Sequence, residues 1–65
     1  MEFCNDKFIN SHGRNPKGYG VWWFGTRDEK WTWYTPNAMT LTDAKKAAAL
    51  KAREDGIKAT IYVLP

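Results

Sequence analysis

The stretch from Thr40 to Gly56 carries the start, body and stop signals of one helix, and that helix's face dictates what the rest of the chain must supply. Thr40-Leu41-Thr42-Asp43 is a capping signature: the Thr40 hydroxyl accepts from a first-turn N–H, and Asp43 sits near the positive end of the dipole. Ala44, Ala47, Ala48, Ala49, Leu50 and Ala52 are strong helix formers. Gly56 suits the left-handed residue that ends a helix, and Ile57 supplies the apolar contact that follows it. Leu41, Ala44, Ala47, Ala48, Ala52 and the stem of Lys51 recur three and four apart and form the buried stripe, with Leu50 on the far flank. Such a face is thin. It predicts close approach to a surface of large side chains, because protein interiors pack as densely as organic crystals.

Those large side chains stand upstream. Tyr19–Thr26 and Trp31–Thr35 are rich in Trp, Tyr, Phe, Val and Thr and read as the two strands of a hairpin. A two-residue turn at Asp28-Glu29 and a four-residue loop over Arg27–Lys30 give the same register. In it Trp31 faces Thr26, Trp33 faces Phe24 and Tyr34 faces Trp23. Alternation then places Trp22, Phe24, Trp31 and Trp33 on one face, with Thr26 and Thr35 at its ends. This face is predicted to lie under the helix. The other face carries Val21, Trp23, Gly25, Arg27, Lys30, Thr32 and Tyr34.

Ile57–Leu64 alternates as a third strand, with Ile57, Ala59, Ile61 and Val63 toward the helix and Lys58, Thr60, Tyr62 and Leu64 away from it. The predicted fold class is α+β: a two-layer ββαβ domain over residues 19–65, with a three-stranded antiparallel sheet of order 2-1-3 and one helix on one face. Residues 1–18 hold Asn5, Asn10, Ser11, Gly13, Asn15, Pro16 and Gly18 and are expected to form a largely irregular arm, frayed over Met1–Asn5. Phe3, Phe8 and Ile9 are its anchors on the core, or pair a short extra strand.

Composition narrows the function classes. A chain of 65 residues is one small domain that buries roughly 60% of its unfolded surface. No apolar run approaches the ~18 residues of a membrane span, and Met1–Lys7 lacks the apolar core of a secretory signal. A lone Cys4 excludes an internal disulfide framework and a Cys-rich zinc site, and a reducing cytoplasm is the expected compartment. Cys4 and His12 pair a thiol with an imidazole, but no third orienting group or oxyanion-loop motif accompanies them, so no enzyme is expected. The same two residues are the only soft or borderline metal ligands, and no metal or cofactor is expected. Gly18-Tyr19-Gly20 is too short for a phosphate loop and leads into a strand. Glu54-Asp55 ends the helix with charges that oppose its dipole.

A three-stranded sheet with one helix leaves its second face bare. There the register presents Trp23 opposite Tyr34, with Tyr62 on the third strand and Arg27, Lys30 and Lys58 around them. The arm adds His12, Arg14 and Lys17. Rings stack on unpaired bases at ~1–3 kcal/mol each while lysine and arginine follow phosphates. The net charge of +3 suits an anionic partner. The expectation is a small non-enzymatic module that binds DNA or RNA as a monomer or weak homodimer, without a membrane. The alternative is an interaction or inhibitor protein, phage-like in size, whose Trp23 and Tyr34 anchor on a partner protein or a second copy. A plainer outcome stands beside both: opposed rings stabilise sheets unaided, and an arm folded over them would turn them into a second small core.

Gly18-Tyr19-Gly20-Val21-Trp22-Trp23-Phe24 followed by Thr40-Leu41-Thr42-Asp43-Ala44-Lys45-Lys46-Ala47-Ala48 resembles a loose class of small phage and bacterial proteins. These pair a G-x-W-x-F strand with a T-L-x-[DE]-A-K-x-x-A helix and a final apolar strand. The resemblance spans about residues 18–64 and implies the ββαβ order without naming an activity. A more distant similarity is to three-stranded-sheet DNA-binding domains of integrase type, which read a groove with the sheet. Those run three strands and then the helix, whereas here the helix precedes the last strand.

Overall fold

The computed structural model describes all 65 residues, Met1–Pro65. The long helix forms where its signals place it, as α2 (Leu41–Glu54), the second of two helices. Thr40 is the N-cap, and its Oγ1 accepts from the Asp43 N–H at 3.3 Å. At the other end the Ile57 N–H donates to the Ala52 carbonyl at 2.8 Å and the Gly56 N–H to the Arg53 carbonyl at 3.1 Å, around Gly56 at φ +73°. That pattern is the Schellman closure, which needs a left-handed residue. Ala44, Ala48 and Ala52 are fully buried, and Leu50 is exposed.

The hairpin forms in the predicted register. Its strands are β3 (Trp23–Gly25) and β4 (Thr32–Tyr34), with Trp23 paired to Tyr34, Phe24 to Trp33 and Gly25 to Thr32. A four-residue loop joins them: the Thr26 N–H donates to the Trp31 carbonyl at 3.0 Å and the Glu29 N–H to the Thr26 carbonyl at 2.9 Å. The inner face is the expected one. Phe24 is fully buried, Trp22 nearly so, and Trp31 and Trp33 are half-buried against the same core as Ile61, Val63 and the three alanines.

Two indole N–H groups fasten this face to the helix. Trp22 Nε1 donates to the Met39 carbonyl at 3.0 Å, just before α2, and Trp31 Nε1 donates to Asp55 Oδ2 at 2.8 Å, just after it. Asp55 also meets Lys51 Nζ at 3.5 Å. The acidic helix end that opposes the dipole therefore has a partner on the hairpin.

The predicted hairpin strands are too long. Tyr19 would face Ala38 if the register continued, but β2 (Tyr19–Gly20) pairs with β5 (Met39–Thr40), with Tyr19 opposite Thr40. The second arm thus holds two extra residues. They are absorbed over Pro36–Ala38, where proline cannot donate to a ladder. The third strand is also shorter than Ile57–Leu64: β6 spans Ile61–Leu64 and runs antiparallel to β3, while Ala59 is exposed outside it.

The arm departs most from its expected irregular course, although Phe3 and Phe8 anchor on the core and the short extra strand allowed for it forms. Phe3–Cys4 forms β1, which pairs in parallel with β6, and Asp6–His12 forms helix α1, closed by Gly13 at φ +72°. The main sheet is therefore four-stranded and mixed, in the order β1-β6-β3-β4, with β2-β5 as a separate pair. It is not the three-stranded antiparallel sheet expected, although the α+β class and the order of its last three strands stand. Seven residues make a marginal helix in isolation. Packing on β6 holds α1, and the Phe3 ring meets Phe24 edge-on at 5.8 Å. Lys7 Nζ lies 5.3 Å from the Tyr62 ring, on the sheet face away from α2. From the same helix Phe8 reaches the core, its ring 6.2 Å from that of Trp22.

Candidate nucleic-acid interface

The outer face is divided along its length. Over β6 it is covered: Tyr62 is half-buried beside Lys7 and Leu64 is 3% exposed. Over β3 and β4 it is open: Trp23 is 44% and Tyr34 66% exposed, directly opposite each other. Lys7, Asn10 and Ser11 of α1 share a groove with Trp23 and Leu64, so the arm lies beside the Trp23 indole and leaves much of it to solvent. Of the three rings expected on one platform, two remain. Tyr62 is lost to the platform because α1 packs on β6 and sets Lys7 over its ring.

Arg27 and Lys30 lie elsewhere. They sit on the hairpin loop and line an open groove of about 720 Å³ with Trp31, Ile57 and Ala59. Trp31 alternates onto the α2 side, so this groove opens at the loop end of the inner face, where α2 stops short. Neither Arg27 nor Lys30 makes an ion pair; the two ion pairs of the molecule are Lys7–Glu29 and Lys51–Asp55. A third loop charge, the exposed Asp28, lines the groove with them. Its Oδ1 accepts from the Lys30 N–H at 3.1 Å and the Thr26 hydroxyl at 2.7 Å, and these bonds hold the carboxyl below its usual range. Trp31 spends its N–H on Asp55, which likewise lowers the Asp55 carboxyl, with Lys51 adding to the effect. The groove offers the Trp31 indole and two aliphatic side chains beside two cations that make no ion pair, with the hydrogen-bonded Asp28 carboxylate among its lining.

The remaining expected contacts scatter. Lys58 lies in the loop before β6, in a cleft with Met1 and Arg53 at the end of α2 rather than on the outer face. His12 ends α1 with its ring stacked on Phe8 at 4.2 Å. Arg14 is exposed in the loop after α1. Lys17 lines a cleft beside Tyr19, Thr42 and Lys45 at the start of α2. No hydrogen bond joins Cys4 to His12, and no three His, Cys, Asp or Glu side chains cluster as metal ligands.

Two residues escape the sequence reading. Trp31 is assigned there to the core, yet it floors the cationic groove. Its place at the strand end beside Lys30, past the last buried alanine of α2, is the signal that marks it. Tyr19 is exposed beside Lys17, because β2 leaves the hairpin to pair with the helix entry.

No helix is long and apolar enough to cross a membrane. Comparison with protein-family models, curated proteins and solved structures finds no match.

Proposed function

We propose that the chain is a small non-enzymatic module that binds single-stranded nucleic acid at the loop end of the β3–β4 hairpin. The observation that carries this reading is the groove in which Trp31, Ile57 and Ala59 lie beneath Arg27 and Lys30, both free of ion pairs. An unpaired base finds an apolar seat with an aromatic wall there, and the flanking phosphates find two cations. Stacking of this kind tolerates any base, since every base has a π face.

The test is a salt series. Binding of short DNA and RNA single strands, followed by tryptophan emission, should weaken steeply with added salt, because each neutralised phosphate releases counterions. Arg27→Gln with Lys30→Gln should reduce the magnitude of the log–log slope by about 1.4, at ~0.7 per phosphate on single strands. Absence of binding at low salt, or binding indifferent to salt, would refute the proposal.

A second reading is docking on a partner protein, and the exposed Trp23–Tyr34 pair favours it. Rings of this kind anchor interfaces. In that case Trp23→Ala abolishes binding to the partner, while the Arg27 and Lys30 substitutions leave it largely intact.

A further inference from the structure

We infer that the free edge of β4 is a self-pairing edge, along which two copies of this chain join their main sheets about a two-fold axis through Trp33. Two observations motivate this: β4 ends the sheet, and its outward backbone groups have no partner within the fold. The hydrogen bonds of Thr26 N–H to the Trp31 carbonyl and of Thr35 N–H to the Trp22 carbonyl set the phase of the hairpin ladder. Residues 31, 33 and 35 turn their backbone groups toward β3, so Thr32 and Tyr34 turn theirs away from it. No turn, loop or side-chain hydrogen bond reaches those four groups.

Apart from being short, the edge lacks the usual guards. Trp31-Thr32-Trp33-Tyr34-Thr35 is made entirely of aromatic and β-branched residues and contains no charge, proline or glycine. Natural edges are commonly blunted by lysine, proline or a bulge.

Self-complementarity selects a second copy as the occupant. With Trp33 opposite its own counterpart, Thr32 faces the other copy's Tyr34, and Tyr34 faces the other copy's Thr32. All four outward groups of each strand are then satisfied by four hydrogen bonds. The Trp33 pair falls at a close, non-hydrogen-bonded position, where aromatic side chains meet and the half-buried indole gains cover. Charge agrees with this register. The charged loop Asp28–Lys30 of one copy comes opposite Pro36–Ala38 of the other, which carries no charge, so no like charges meet despite the net +3 of each chain. The contact is isologous and closed, ending at a dimer. Three-residue strands keep it well under the ~1,200 Å² of a standard interface, so the dimer is a weak one, populated as concentration rises. The inference stands apart from the groove of Arg27, Lys30 and Trp31 and does not depend on nucleic acid.

The experiment is sedimentation equilibrium of the intact chain from micromolar to millimolar concentration, with Thr32→Pro as the diagnostic variant. Proline at an outward edge position removes an N–H that β3 does not use, so the monomer keeps its ladder. Expected is an average mass rising toward twice the monomer value, with a Thr32→Pro dissociation constant at least about tenfold higher, since two of the four bonds are lost. Amide exchange in the unsubstituted chain gives a readout independent of any variant. The Thr32 and Tyr34 amides should slow with concentration while the Trp33 amide, already bonded to β3, does not. A mass that stays monomeric throughout, or one whose rise is untouched by Thr32→Pro, overturns the inference. So does exchange at Thr32 and Tyr34 that ignores concentration.

Discussion

Gly25→Ala tests the covering of the outer face most directly. Gly25 lies in β3 between β4 and β6, with no positive φ, so alanine meets no backbone obstacle there. By itself the change would stabilise by ~0.4–1 kcal/mol through the unfolded chain. The added Cβ, however, would stand 2.9 Å from Leu64 Cδ1 and 3.1 Å from both Thr32 Cγ2 and the Trp31 carbonyl oxygen. Thr32 is exposed and can turn its methyl aside. The Trp31 carbonyl is fixed by its bond from Thr26, and Leu64 is enclosed at the groove beside α1. Overpacking of this kind costs ~1–3 kcal/mol, so a net loss of about 1–2 kcal/mol is expected. For a domain this small that lowers Tm by about 4–16 °C. Urea denaturation followed by circular dichroism measures the difference directly. Combined with Leu64→Ala, the loss should fall short of additivity by ~0.5–3 kcal/mol, because the second change makes room for the first. A Gly25→Ala protein as stable as its parent, or strict additivity, would mean that Leu64 does not lie over Gly25 and that the outer face is more open than described.

The two helix starts should respond differently to truncation: Thr40→Ala costs ~1 kcal/mol of unfolding free energy, while Asn5→Ala costs nothing measurable. Asn5 makes no side-chain cap bond, and its buried Oδ1 has no partner to lose. Trp33→Ala should destabilise more than Trp23→Ala in the same denaturation assay, because Trp33 packs on the core and Trp23 faces water. Acid titration of the unfolding midpoint should show stability lost as pH falls below the usual carboxylate value of 3.8, since Asp28 and Asp55 are both lowered in the fold. Their contribution is present above the unfolded value and disappears as pH falls through the folded one, and Trp31→Phe should shrink it by removing the main cause at Asp55.

Legibility in the sequence follows the distance over which each signal acts. The cap at Thr40, the stop at Gly56 and the alanine stripe are local, and each appears where it is written. The hairpin register is also readable, because the even-length polar connection at Arg27–Lys30 pairs Phe24 with Trp33, and a one-residue slip would mix the apolar and polar faces. The arm is different. Asn5-Asp6 before Phe8-Ile9 and Gly13 after His12 are helix punctuation, but they are equally loop composition. Only the presence of β6 nearby makes a seven-residue helix worth forming. For the same reason the candidate site was legible in parts rather than as a place. Alternation puts Trp23 opposite Tyr34, while it cannot tell that the loop cations Arg27 and Lys30 gather with Trp31 and Ile57 or that α1 reaches Tyr62.

The tryptophans show how one residue type comes to serve two purposes in so small a chain. A buried indole needs a partner for its N–H. Trp22 and Trp31 find theirs at the two ends of α2, on the Met39 carbonyl and the Asp55 carboxylate. A 14-residue helix is about 21 Å long, so two anchors this far apart fix its direction across the sheet as well as its position. The alanine stripe cannot do this alone, since a smooth face slides easily. Trp23 and Trp33 have no hydrogen-bond partner for their N–H within the protein, and both keep contact with solvent. Fixing α2 by its ends also explains the groove. The helix stops at the Gly56 closure, just where Asp55 reaches Trp31, which leaves one side of that indole without a lid, next to the loop that carries Arg27 and Lys30. The same contact that fastens the fold therefore exposes the surface on which the functional proposal rests.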